Sequence, residues 1–273
     1  NLSLHNNGEH GIHPCSNDLG RNHHNTYRNL DCYNNDVMGF SDRGNGEAGD
    51  PLESCYNTFN NIHAWNNGST GIQVSYQKNA TITSCTSENN DKYGFRFAGI
   101  VDSTISDCVA LGNGSDGDYA GINLYTSDSY RIKNITLRNS NISHDGLTLT
   151  GINNSFIINN NINASQGYAL YSRSNVNVFI INNSFTSLGN YSHAAYLEAS
   201  DYIFFFNNSI LRENGQDSYR GYGLFMRSSD NNNISSNSIE TYNSYESGLV
   251  VHTSDYNLIE NNTIEVYGSS AAG

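Results

Sequence analysis

A mixed set of acidic, basic and aromatic side chains clusters around one recurring point of this chain: Asp118, His144 and Asp145 just before it, and Tyr171, Arg173 and Glu198 just after it. Tyr, His and the carboxyls can pass protons, and Arg can hold a carboxylate. Such a set fits removal of a proton α to a uronate carboxylate, which needs a cation on that carboxylate, a base, and an acid for the leaving oxygen. It also fits glycoside hydrolysis, where two carboxyls stand about 5–5.5 Å apart for retention or 6.5–9.5 Å for inversion. Asp118 and Asp145 precede Gly121 and Gly146 by three and one residues. Their expected offset is about one strand spacing, ~4.8 Å. Lyase and hydrolase chemistry both stay open on these residues. We take His144 or Tyr171 as base or acid, Asp118, Asp145 and Glu198 as carboxyl candidates, and Arg96 and Arg173 as the cations on uronate carboxylates.

The elements that must position these groups follow from a repeat. A small residue followed by an apolar alternation recurs at Gly11, Gly39, Gly71, Gly94, Gly121, Gly146, Ala169, Ala194, Gly223 and Gly248. The spacings are 28, 32, 23, 27, 25, 23, 25, 29 and 25 residues. Such a period, with strand-like alternation and no helical pattern, means a stacked solenoid. Each turn offers three short apolar stretches, as in Gly146–Thr150, Phe156–Ile158 and Ile162. The expected fold is an all-β, right-handed parallel β-helix of about ten coils, a single domain over 1–273.

Within each first strand, the residue after the glycine and the one two further on should point inward, as Ile72/Val74 and Phe95/Phe97. The intervening positions then form one outer face. Substrate-binding candidates on that face are His13, Arg43, Arg96, Asn123, Tyr125, Tyr196 and Arg227, with His193 on the rim before the next strand. Tyrosine rings can stack on sugars and Arg can pair with uronates. Stacked tyrosines can equally do no more than cover an exposed sheet. A second, N-terminal cluster holds His5, Glu9, His10, His13, Asp42 and Arg43, beside long excursions at Cys15–Asn25 and Arg43–Asn57. The latter carries Glu47, Asp50 and Glu53.

Asparagine pairs Asn60-Asn61, Asn159-Asn160, Asn182-Asn183, Asn207-Asn208 and Asn261-Asn262 fall at one phase of the turn. Asn tolerates the left-handed region, and its amide can bond the same group one coil away. An asparagine ladder at a corner is expected, which reads many Asn-x-Ser/Thr matches as architecture. Cys85 and Cys108 should be stacked core thiols on neighbouring turns, while Cys15, Cys32 and Cys55 leave a disulfide open.

The net charge of −13, with 13 Lys and Arg, argues against nucleic acid as a partner. An acidic surface attracts divalent cations such as Ca2+, and no motif demands a cofactor. No apolar run is long enough to span a membrane. The chain starts inside the pattern, so it reads as a piece of a larger secreted protein, with flanking domains or an oligomer partner expected to cover the coil ends.

The Asn-rich coils resemble the right-handed parallel β-helices of the pectate-lyase-like superfamily. Tyr33–Phe40 and Ala64–Ile72 look like coils of mannuronan C5-epimerases, although the Asp-Pro-His-Glu motif of those enzymes is absent. The coils together with His23–Cys32 are similar to disaggregatase-related proteins of methanogenic archaea. That resemblance implies an extracellular depolymerase acting on an acidic polysaccharide such as methanochondroitin, a matrix of uronate and galactosamine. Alternatives are a non-catalytic glycan-binding or surface-layer module and a uronate C5-epimerase.

Overall fold

A computed structural model describes residues 2–14, 23–44, 55–114, 120–126, 132–144, 146–189, 192–213, 221–242 and 246–267. Every strand pairs in parallel with its equivalent one coil away, so the chain is a β-solenoid. One sheet holds ten strands: His10–Ile12, Met38–Arg43, Ile72–Ser75, Phe95–Ala98, Ile122–Tyr125, Leu147–Thr150, Leu170–Arg173, Ala195–Glu198, Tyr222–Arg227 and Ser247–His252. The other two stretches of each coil merge into a sheet of twenty strands. The expected parallel β-helix of about ten coils is what the chain forms.

Alternation sets the inside. Phe40, Ile72, Phe95, Ile122, Leu147, Leu170, Ala195 and Leu224 stack in register as one fully buried column. A second inward column carries Val74, Phe97, Leu124, Leu149, Leu197 and Met226. At two coils this column takes a polar residue instead, Asp42 and Ser172, both buried. Asp42, placed by its sequence neighbours in an outer cluster, therefore lies inside the solenoid.

Corners are turned by single residues in the left-handed region, among them Asn159, Asn182, Asn207 and Asn261 with φ of 55°, 56°, 52° and 55°. Asn pays less for this conformation than most side chains. The next residue points inward and makes the ladder. Asn160, Asn183 and Asn208 each donate their backbone N–H to the Oδ1 of Asn183, Asn208 and Asn237 at 2.9 Å. Each Nδ2 also reaches a carbonyl of the coil on the other side, as Asn183 to Ile157 at 2.8 Å. Asn60-Asn61 is one residue out of phase: Asn61 takes the left-handed turn, with φ of 51°, and Ile62 fills the buried corner. Cys85 and Cys108 occupy that same corner column, fully buried. A second ladder runs through Asn35, Asn67, Asn90 and Asn113 at another corner, with N–H to Oδ1 distances of 3.1, 3.0 and 3.1 Å. Cys32 and Cys55 are buried, and among the described residues no disulfide joins Cys32, Cys55, Cys85 and Cys108. Cys15 lies outside the described residues.

Candidate functional site

The outer face of the ten-strand sheet carries two columns of side chains. One runs Ser41, Gln73, Arg96, Asn123, Thr148, Tyr171, Tyr196, Phe225, Val250. The other runs Arg43, Ser75, Ala98, Tyr125, Thr150, Arg173, Glu198, Arg227, His252. Both follow the alternation read from the sequence. The plain threonine pair of the sixth strand, Thr148 and Thr150, divides the chemistry into two groups.

The C-terminal group is the denser one. The Tyr171 phenol donates to Glu198 Oε2 at 2.8 Å, and Arg173 Nε lies 3.6 Å from the same oxygen. Glu198 stands in register between Arg173 on one coil and Arg227 on the other. Burial, then the hydrogen bond to Glu198, pushes the Tyr171 phenol up to about 12. Tyr196, only 8 % exposed, is packed at 5.6 Å from Tyr171 and 5.1 Å from Phe225. Its phenol is raised, chiefly by burial, and interacts with both Arg227 and Glu198.

His193 closes the rim of this group. Its ring stacks on Tyr222 at 4.9 Å and meets Tyr196 and Phe225 edge-on. His193 Nδ1 accepts the Tyr222 backbone N–H at 3.1 Å, which leaves the ring proton on Nε2. Burial, reinforced by the nearby Arg212 guanidinium, lowers its pKa to about 4. Arg212 and Glu246 form a fully buried ion pair, 3.5 Å between Nη2 and Oε1. Neither was singled out among the sequence candidates. The available signal was that Arg212 sits at an inward position of the strand Ser209–Arg212.

The N-terminal group is cationic and aromatic. Arg96 lies 4.7 Å from the Tyr125 ring centroid and 5.7 Å from that of Tyr93, and Arg43 lies 5.7 Å from Tyr76. Contacts of this kind hold guanidinium groups flat on rings. Asn123 is 9 % exposed and stands in register between Arg96 and Thr148. His13 is exposed and stacks on His10 at 4.7 Å. Its pKa is lowered by partial burial and by His10. His5 is not part of this face. It belongs to the twenty-strand sheet, where it stacks on Tyr33, which stacks on Trp65.

His144 ends a strand of the twenty-strand sheet in register with Ala164, at φ of 89°, and turns the chain toward Gly146. Asp118 and Asp145 lie outside the described residues, as do Glu47, Asp50 and Glu53. The structure thus brings together Tyr171, Arg173, His193, Tyr196, Glu198 and Arg227, and separately Arg43, Arg96 and Tyr125. Among the described residues no group of three or more His, Cys, Asp and Glu gathers to hold a metal ion. No helix long and apolar enough to cross a membrane occurs there either.

A repetitive parallel coil with a side-chain-rich outer sheet defines a β-helix protein. The chain belongs to the right handed beta helix region family, whose model matches residues 1–134 and 120–272. No curated protein sequence matches it. Among solved structures it is similar to the A-module of mannuronan C-5 epimerase AlgE6 of Azotobacter vinelandii, at 13% identity and a TM-score of 0.60, covering 90% of this chain and 78% of that one. It is also similar to the Streptococcus pneumoniae surface adhesin PfbA, at 13% identity and 0.53, over 94% and 74%. DFA-IIIase of Arthrobacter chlorophenolicus A6 matches at 9% identity and 0.58, over 93% of this chain and 60% of that one. At these identities the likeness is one of fold.

Proposed function

We propose that the protein binds an acidic, uronate-containing extracellular polysaccharide along the ten-strand sheet and cleaves its glycosidic bonds. The observation that carries this reading is the linked set Tyr171, Glu198 and Arg173, with Arg227 one coil beyond Glu198. Arg173 and Arg227 supply cations for sugar carboxylates, Glu198 and Tyr171 a connected acid and hydroxyl for proton transfer, and His193 a neutral imidazole at the rim. A hydrolytic route needs a second carboxyl, for which Asp145 and Asp118 are the candidates. A lyase route instead needs a base near the uronate C5 and a neutralised carboxylate. Methanochondroitin is a substrate of the right chemistry. A role in dispersing cell aggregates, at the cell surface or outside it, follows from that substrate.

A second reading, glycan binding without cleavage, is favoured by one observation. Tyr171 at about 12 and His193 at about 4 are both far from neutrality, where proton transfer is most efficient.

The test is to incubate the chain with methanochondroitin, chondroitin and polyuronates, following new reducing ends and the ultraviolet absorbance of an unsaturated uronate together. Reducing ends with absorbance identify a lyase; reducing ends alone identify a hydrolase. Retention of the polymer with neither signal leaves the binding module.

A further inference from the structure

On three successive coils Arg173, Glu198 and Arg227 stand directly above one another on the outer face. The Arg173 side chain is 58% exposed, Glu198 is 23% exposed, and Arg227 is exposed. The column is therefore cation, anion, cation, at intervals of about one strand spacing, ~4.8 Å. A 1,4-linked pyranose advances a glycan chain by close to the same length. A glycan lying along the solenoid axis then places one sugar over each coil, and the two arginines roughly 10 Å apart face sugars two residues apart.

The middle position is held by a carboxylate whose neighbours keep it in place. Tyr171 donates to Glu198, and the Tyr196 phenol faces it from its own strand. A sugar carboxylate over this coil meets a like charge, while one over either flanking coil meets a guanidinium. Like-charge juxtaposition is a common way to reject a wrong partner.

We infer that this column selects glycans in which uronate and uncharged sugars alternate, over contiguous polyuronates. The uncharged sugar sits over Glu198, with uronates over Arg173 and Arg227. The inference rests on the proposed polysaccharide site and names its substrate class. It runs against simple charge counting, because the preferred chain carries half the negative charge.

The test compares an unsulfated chondroitin hexasaccharide with a β-1,4-linked hexaglucuronate by calorimetric titration into the full chain. Mass spectrometry of the sugars checks that both stay intact during the measurement. The alternating hexasaccharide is expected to bind about two- to fivefold more tightly, because only the hexaglucuronate sets a carboxylate over Glu198 while both ligands keep their contacts to Arg173 and Arg227. Glu198→Gln should remove the discrimination by raising affinity for the hexaglucuronate, whereas Arg173→Ala should weaken both ligands. Equal or tighter binding of hexaglucuronate to the wild type overturns the alternation while leaving the polysaccharide site standing. Glu198→Gln leaving a wild-type preference unchanged overturns it too. Failure of both oligosaccharides to bind removes the proposed site itself.

Discussion

The packing around His193 makes a quantitative statement about acid stability. In the folded chain its pKa is held at about 4, by burial and then by Arg212, against an ordinary value of 6.5. Between those values the unfolded chain binds the proton and the folded chain does not. Stability must therefore rise with pH across this window and fall as pH drops through it. At about 1.36 kcal/mol per pH unit, lowering the pH from 7 to 4 removes roughly 3 kcal/mol through this residue alone. The perturbation is His193→Gln, which keeps an acceptor for the Tyr222 N–H and cannot take a proton. Urea unfolding of both proteins at pH 7, 6, 5 and 4 separates this residue from the carboxylates, which titrate in both. Wild type starts more stable at pH 7, and the difference should shrink steadily toward pH 4. A difference that stays constant over that range refutes the reasoning. A histidine titration by NMR adds an internal check. In Arg212→Met/Glu246→Gln the His193 pKa should move up, yet remain below 6.5 because burial persists.

Two further outcomes follow from the core. Glu246→Gln alone leaves the buried Arg212 charge without its counter-charge and should cost about 3–5 kcal/mol in urea unfolding, whereas Arg212→Met/Glu246→Gln recovers much of the loss. Asn183→Ala takes the Oδ1 from the Asn160 N–H and Nδ2 and the donor from the Ile157 carbonyl, for a loss of about 1–3 kcal/mol or more by the same measurement.

The coil number, the strand at each small residue, and the two outer columns were all legible, because inward and outward positions alternate strictly in a strand. What escaped was where that alternation meets an exception. Asp42 and Arg212 are charged residues at inward positions, and a reading that sends charge outward misplaces the first and passes over the second. The Asn ladder was legible as a device but not in its full register. The buried member is the one after the left-handed residue, so Asn60-Asn61 reads one step off, and the ladder through Asn35, Asn67, Asn90 and Asn113 was not singled out. Of the candidates, Tyr171, Arg173, His193, Tyr196, Glu198 and Arg227 lie together on neighbouring coils, while His144 ends a strand of the other sheet. Arg96 and Tyr125 lie on the other side of the sixth strand, whose threonines intervene. A gap of that kind is visible only once the coils are counted in register.

The central claim is that an acidic glycan is held on the ten-strand sheet around Arg173 and Arg227. The most direct measurement is the affinity of the chain for chondroitin and for a neutral glucan, before and after the exchange Arg173→Glu/Arg227→Glu at exposed positions. The account predicts that chondroitin binding is lost at low salt, that the folded state survives by circular dichroism, and that the neutral glucan binds neither protein. Undiminished chondroitin binding by the charge-reversed variant contradicts it.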